Sequence, residues 1–368
     1  MVSRSEPITV RHAAGAYPVH VEAGLLRRLP ELLAQALPRR RLVLITDETV
    51  AARFDAWIQA GHAAEPRLEA RLGFPAGEAS KTRETWSRLS DAMLARALDR
   101  DTAVIALGGG VVGDLAGFVA ATYLRGIPYA QVPTTLLAMV DASVGGKVGV
   151  DTPLGKNLIG AFHPPAVVVA DPWTLTTLPD PVYRAGLAET VKHGLIADAA
   201  YFAWIEAHTG PLLARDPDAL TRLVRRSVEI KAQVVTEDER EAGRRAVLNA
   251  GHTVAHALEQ ASDLTLPHGE AVSLGLVAET RIAERLGLAP AGLAERVAAL
   301  LEALGLPVRR PGIPVARALE AMRRDKKNRA GQVRLALPAG LGVAHPGEGR
   351  WTVPVTDDLL ARALDSLA

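Results

Sequence analysis

Apolar residues in the first half of the chain fall in short unbroken runs, Arg41 to Thr46, Thr102 to Leu107, Tyr129 to Val132 and Val167 to Ala170, separated by longer amphipathic stretches such as Arg83 to Leu98. Runs without polar alternation are the signature of strands buried on both faces, and strands alternating with helices predict a parallel sheet covered by helices. From about Asp180 the texture changes. Helical spacing of Ala, Leu, Arg and Glu predominates over Asp218 to Thr236, Ala246 to Ala261, Glu270 to Leu286 and Ala291 to Leu304. The pattern predicts an α/β domain over 1–179 and a mainly helical domain over 180–368, with the boundary near Pro179 to Pro181 and a Pro/Gly-rich connection from Leu306 to Pro314.

One run tests the membrane alternative: Val104 to Leu124 spans 21 residues with a single charge, Asp114. Glycines at 108, 109, 110 and 113 divide it into a strand, a turn and a helix, as in a buried α/β crossing. A length of 368 residues suits two domains. A net charge of +1 without long runs of one sign leaves no electrostatic footprint for nucleic acid or an anionic membrane, so a small-molecule partner is expected. The absence of cysteine leaves histidine and carboxylates as transition-metal ligands. Met1 to Gly24 lacks the apolar core of a secretion signal, which predicts a cytoplasmic protein.

Lysine is scarce, seven against 35 arginines, and the seven (Lys81, Lys147, Lys156, Lys192, Lys231, Lys326 and Lys327) stand nearly all beside glycine, histidine or carboxylate clusters. A point charge retained where arginine serves elsewhere suggests phosphate or carboxylate binding. Gly108 to Gly113 has the G-x-G-x-x-G form directly after a strand, so its amides suit a pyrophosphate, although the acid expected about twenty residues on is missing. Asp47, ending an earlier strand, is either a ribose contact or the N-cap of a helix. Thr134, Thr135, Asp141, Gly146-Lys147 and Gly155-Lys156-Asn157 form a second dense tract, in which glycine before lysine suits a backbone brought close to a charged ligand; a tight surface turn explains either lysine alone but not the whole set. In the second half His252 and His256 share a helical face, with His268 and Glu189 as further metal candidates; His193, four after Glu189, is a further candidate ligand that reads more readily as packing or a surface position. No glutamate completes H-E-x-x-H, which disfavours a hydrolytic zinc site. Asn249 falls at helical spacing from His252, so the polar face is expected to continue through both. His12, His20, His62, His163, His208 and His345 lack clustered partners and read as structural or solvated.

Gly-Gly-Gly-Val-Val-Gly-Asp (108–114), Gln-Val-Pro-Thr-Thr-Leu-Leu-Ala (131–138), Ser-Val-Gly-Gly-Lys-Val-Gly (143–149), Pro-Leu-Gly-Lys-Asn-Leu-Ile-Gly-Ala-Phe (153–162), Gly-Leu-Ala-Glu (186–189), Gly-His-Thr (251–253), His-Gly-Glu-Ala-Val (268–272) and Arg-Asp-Lys-Lys (324–327) occur in that order. In this series the chain resembles the 3-dehydroquinate synthase family from about Asp47 to Ala336. The resemblance implies a Rossmann-like nucleotide-binding domain, a helical metal-binding domain and an active site in the cleft between them. It implies zinc on Glu189, His252 and His268, with cobalt accepting similar ligands, and leaves His256 as an acid/base or substrate contact beside Glu241. NAD is expected along Asp47, Glu78, Lys81, Gly109, Gly110, Val111, Val112, Gly113, Asp114, Thr134, Thr135, Lys147, Lys156, Thr174, Leu175, Thr176 and Thr177. Substrate is expected at Arg125, Asp141, Lys147, Asn157, Lys192, Lys231, Arg245, Asn249, His256 and one or both of Lys326 and Lys327. The implied reaction converts 3-deoxy-arabino-heptulosonate 7-phosphate to dehydroquinate and phosphate by transient oxidation, elimination, reduction and aldol closure, in a homodimer. His193 stands where the family commonly has tyrosine. Related sugar phosphate cyclases and metal-dependent alcohol dehydrogenases are the alternatives.

Overall fold

Alternation along two central strands sets the architecture of the first unit. On β3 (Arg41–Asp47) and β5 (Thr102–Gly108), Val43, Ile45, Val104 and Ala106 face one side, and Leu42, Leu44, Ala103, Ile105 and Leu107 the other. The first set packs against α3 (Arg83–Leu94) and α4 (Gly110–Thr122), the second against α1 (Leu29–Ala36), so both faces of the sheet are covered. These coordinates are a computed structural model that describes residues 5–57, 59, 65–309, 312–324 and 332–367. The chain divides into two compact units, Met1–Leu178 and Pro179–Ala368.

The remaining strands of the first unit are β1 (Ile8–His12), β2 (Gly15–Val21), β4 (Leu68–Phe74), β6 (Tyr129–Pro133), β7 (Lys147–Thr152), β8 (Gly155–Phe162) and β9 (Val167–Ala170), and α2 (Glu48–Arg53) follows β3. Five of these join β3 and β5 in one sheet of order β1-β2-β9-β6-β5-β3-β4, parallel except for the β1–β2 hairpin. The chain leaves β3 for β4 on one side and returns to β5 on the other, so the strand order reverses between β3 and β5. Such a switch point opens a crevice beyond the carboxyl ends of the strands.

Two differences from the sequence reading matter. The tract around Lys147 and Lys156, which the apolar pattern does not mark as strand, is a separate antiparallel hairpin, β7–β8, in which Lys147 pairs with Phe162. Helix α3 ends at Leu94 and not Leu98, because Ala97 turns left-handed at φ 51°.

The second unit is built on α5 (Asp180–Ala197), α6 (Ala199–Ala207), α7 (Thr209–Leu213), α8 (Pro217–Glu237), α9 (His252–Ala261), α10 (His268–Arg285), α11 (Leu293–Ala303), α12 (Val315–Arg324) and α13 (Asp357–Asp365), with short strand pairs after α12. Every residue of α5 from Gly186 to Ile196 is buried, as is nearly every residue of α10 from Gly269 to Ala283. Helices buried all round are normally apolar. These two carry Glu189, Lys192, His193 and Glu279 inside, so each polar group needs a partner. The helix expected from Ala246 to Ala261 is broken: a 3-10 turn over Arg244–Asn249 ends, Gly251 adopts φ 80°, and α9 starts afresh at His252. Asn249 and His252 therefore do not share one helical face. Among the described residues no helix is long and apolar enough to cross a membrane, and Val104 to Leu124 resolves into the end of β5 and α4.

Candidate active site

In the first unit the nucleotide candidates follow the carboxyl ends of successive parallel strands: Asp47 ends β3, Glu78 follows β4, Gly109 follows β5, Thr134 follows β6 and the 3-10 turn Pro172–Thr177 follows β9. The turn at Gly109 is shaped by contact. A Cβ on Gly109 would stand 3.1 Å from Thr135 Cγ2, and one on Gly113 2.9 Å from Gln131 Oε1, so glycine lets α4 lie close on β6. Gly109 offers no side-chain cap, which leaves the first-turn amides of Gly110, Val111 and Val112 at a positive helix end, a ready anion site. Thr134 N–H donates to Gly108 O at 2.9 Å, and Thr174 Oγ lies 3.5 Å from Thr134 O, which ties the ends of β5, β6 and β9 to one rim. Leu175 is buried and Thr176 exposed; Thr177 Oγ donates to Thr174 O.

Lys81 is buried, with its Nζ 2.6 Å from Asp114, 3.8 Å from Glu78 and 3.9 Å from Asp151. Burial opposes its charge, but those three carboxylates outweigh it and raise its pKa. Asp47 takes the N-cap role, accepting from Val50 N–H at 2.8 Å. Lys147, Lys156 and Asn157 are exposed on the hairpin, where Asn157 has φ 55° and its N–H donates to Asp151 at 2.8 Å. Asp141 lies in the π-helical turn Ala138–Ala142. Arg125 is not gathered with this rim: it follows the C-terminus of α4, about 20 Å along the helix from Gly110.

In the second unit Glu189 of α5 meets the first residue of α9 and the first residue of α10. Its Oε1 is 3.3 Å from His252 Nε2 and 3.7 Å from His268 Nε2, and one donor atom from each residue lies within 4.8 Å of the others. Two ligands about 2.0–2.1 Å from a tetrahedral ion stand roughly 3.4 Å apart. The separations fit such an ion. Both Glu189 oxygens are buried without a well-formed hydrogen bond, although the Lys192 ammonium lies against one of them. His252 Nδ1–H donates to Ala250 O at 3.1 Å, which turns the Nε2 lone pair toward Glu189.

Electrostatics agree with a cation's place. Burial alone would raise Glu189, but Lys192 and His252 hold it well below the carboxylate range. Burial chiefly lowers His252, while in His268 contacts with Glu189 and Glu259 overcome burial and raise it to about 9. Lys192, which lies against Glu189, is buried, as are Lys231 of α8 and Arg245 of the turn before α9, and Asn249 donates to Glu241 Oε1 at 2.6 Å. His256 has its ring 5.6 Å from His252 and 6.2 Å from His268. His193 is fully buried, so it is neither solvated nor at the surface. Lys326 and Lys327 lie outside the described residues.

The chain matches the family descriptions 3-dehydroquinate synthase N-terminal over residues 71–185 and 3-dehydroquinate synthase C-terminal over 186–328. It is 52% identical over 331 residues to the curated 3-dehydroquinate synthase of Halorhodospira halophila, covering 89% of this chain and 92% of that one. The chain belongs to the 3-dehydroquinate synthase family. Among solved structures it is similar to the 2-epi-5-epi-valiolone synthase of Streptomyces hygroscopicus with NAD+ and Zn2+ bound (TM-score 0.84, 32% identity, 95% of this chain and 96% of that one). A 2-deoxy-scyllo-inosose synthase complexed with carbaglucose-6-phosphate, NAD+ and Co2+ gives a TM-score of 0.90 at 25% identity, covering 98% and 100%.

Three acids that shape this 3-dehydroquinate synthase family site carried no signal in the sequence. Glu259 faces His268 Nδ1, Glu279 binds the start of α9, and Asp238 accepts from the N–H groups of Ala242, Gly243 and Arg245 at 2.8–2.9 Å. Asp238 thereby shapes the loop that carries Glu241, itself at φ 57°. Each reads in sequence as an ordinary helix or loop acid.

Proposed function

We propose that this chain converts 3-deoxy-D-arabino-heptulosonate 7-phosphate to 3-dehydroquinate and inorganic phosphate with NAD and one divalent cation, zinc or cobalt. The observation that carries the reading is the Glu189–His252–His268 donor set with the buried Lys192 against Glu189, in a chain about half identical to curated 3-dehydroquinate synthases. Bound NAD supplies reversible hydride acceptance at the substrate's C5, and the cation supplies Lewis acidity to that carbon's hydroxyl.

The chain's own groups account for the rest. The amides of Gly110, Val111 and Val112 hold the cofactor's pyrophosphate, with Asp47 free to use its second carboxylate oxygen on a ribose. Lys81, Glu78, Asp114, Thr134, Thr135 and the turn from Thr174 to Thr177 line the rest of the cofactor. Elimination removes the C6 proton as the C7–oxygen bond breaks, and the electron pair leaves with phosphate. Lysine and arginine stabilise the departing dianion and the substrate carboxylate, a role we assign to Lys147, Lys192, Lys231 and Arg245, with Asn157 and Asn249 as neutral hydrogen-bonding contacts to the substrate. His256 and Glu241 are the proton-transfer candidates, Glu241 being fixed by Asn249. We assign no step to Arg125.

Identity separates this reading from the other cyclases: six curated 3-dehydroquinate synthases match at 46–52%, whereas the solved valiolone and inosose synthases match at 32% and 25%. Incubation with the heptulosonate phosphate, substoichiometric NAD and zinc tests it. Equimolar phosphate and dehydroquinate with no net reduced nicotinamide are expected; steady accumulation of NADH without phosphate release contradicts the assignment.

A further inference from the structure

Helices α9 and α10 exchange carboxylates. Helix α9 begins with His252 and carries Glu259; α10 begins with His268 and carries Glu279. Glu259, 4% exposed, places Oε1 3.4 Å from His268 Nδ1. Glu279, 1% exposed, accepts from Gly251 N–H at 2.6 Å and Val254 N–H at 3.1 Å, the N-cap and third residue of α9. Each helix therefore holds one proposed ligand and the acid that fixes the ligand of the other. We propose that Glu259 and Glu279 are reciprocal positioning residues that set the separation and ring orientation of His252 and His268 for the metal. The proposal rests on the ligand assignment made above.

Three physical features support it. The two helices touch backbone to backbone: a Cβ on Gly275 would lie 1.9 Å from Gly251 O, and one on Gly251 2.9 Å from Leu276 Cγ. Glu279 sits one turn beyond that contact, so the cap at Gly251 has little freedom to shift. His252 is tied to the same turn, since its Nδ1 donates to Ala250 O.

The second feature is charge. A helix N-terminus carries about half a positive charge, which opposes a cation held by its first residue. The Glu279 carboxylate at the first turn of α9 offsets that repulsion. Burying it otherwise would cost free energy, but two amide donors satisfy it.

The third feature is tautomer control. With Glu259 accepting from Nδ1–H, the lone pair of His268 resides on Nε2, the nitrogen that faces Glu189 at 3.7 Å. His256, Glu259 and His268 also form a second group of potential ligands within 4.8 Å. Using it for a further cation would require His268 to surrender both ring nitrogens, whereas bracing needs only the proton on Nδ1.

The test uses full-length protein with zinc affinity read by competition against a chelating dye, NAD affinity read separately, and apo-protein melting as a control. Glu259→Ala and Glu279→Gln are expected to weaken zinc binding about 10- to 100-fold while NAD affinity stays at the wild-type value. Glu259→Gln, whose amide oxygen still accepts from Nδ1–H, is expected to recover part of the loss. Glu189→Ala is the control for the ligand set itself. If it loses zinc while Glu259→Ala and Glu279→Gln bind as wild type, the bracing is wrong and the ligand set stands. If Glu189→Ala keeps zinc, the ligand reading fails first. Two zinc ions per wild-type chain falling to one in Glu259→Ala would make Glu259 a ligand and overturn its positioning role. A Glu279→Gln protein that melts earlier without metal yet binds zinc normally makes that cap merely structural and overturns it.

Discussion

Lys81 shows how a single buried charge organises the first unit. Its ammonium stands among Asp114, Glu78 and Asp151 and is only 3% exposed. Removing it leaves like charges facing one another in a poorly solvated place, and breaking a buried pair in this way typically costs about 3 kcal/mol or more. Lys81→Met is therefore expected to lower the melting temperature and to weaken NAD binding, measured by calorimetry and fluorescence titration. Its raised pKa gives a sign as well. The stabilisation is present below the ordinary lysine value and is lost as pH rises through the higher folded value, so the stability gap between wild type and Lys81→Met is expected to close only in strong alkali. An unchanged melting temperature at pH 7 would sink the account.

Two elements turn local sequence into site geometry. Asp238 holds the loop leading to Arg245 by three backbone N–H groups, and although burial alone would raise its pKa, those donors and the Arg245 charge lower it. Its contribution is therefore present above the ordinary aspartate value of 3.8 and is lost as pH falls through the lower folded value. Asp238→Asn is expected to loosen residues 239–249 in hydrogen exchange at neutral pH. Its kcat is expected to drop by a part of the roughly 10²-fold or more that a positioned acid or base supplies, with zinc affinity kept. Wild-type exchange in that loop contradicts it. At the α9–α10 crossing, Gly275→Ala would drive a methyl group to 1.9 Å from Gly251 O and is expected to lose folded protein or zinc, whereas Gly210→Ala in α7, with nothing within 4 Å, is expected to be neutral or slightly stabilising. Equal behaviour of the two variants would refute the close contact.

These elements also mark what was legible beforehand. β3, β5, β6 and β9 could be read because strands buried on both faces leave continuous apolar runs, and β9 has the same limits, Val167–Ala170, in sequence and structure. The β7–β8 hairpin could not. β8 is exposed along most of its length, so it leaves no apolar run, and the close approach at Gly149 and Gly160, where a Cβ would meet backbone oxygens at 2.7 and 2.3 Å, shows only once the two strands are paired. The break before His252 was hidden because helical spacing continues on both sides of Gly251, and only the crossing with Gly275 explains it. Histidines were visible as chemistry by type and spacing. Glu259 and Glu279 were not, since an acid on a helix looks the same whether it meets water or a buried imidazole.

The division into two units gives the broadest prediction. The glycine turn and its threonines belong to the unit ending at Leu178, whereas Glu189, His252 and His268 belong to the unit beginning at Pro179. His268→Ala deletes one of three proposed metal donors and leaves Glu259 facing a space where imidazole stood. Zinc affinity is expected to fall by more than the 10- to 100-fold of an outer-shell change, and phosphate release from the heptulosonate phosphate with it. NAD affinity is expected to stay close to the wild-type value, because no cofactor candidate in the first unit depends on that ring. Ligand stabilisation separates the two effects, since a ligand that binds only the folded form raises its stability in proportion to the logarithm of concentration over Kd. Added NAD should raise the melting temperature of wild type and His268→Ala alike, and added zinc that of wild type alone. A His268→Ala protein that zinc still stabilises, or that still releases phosphate at the wild-type rate, would remove His268 from the ligand set.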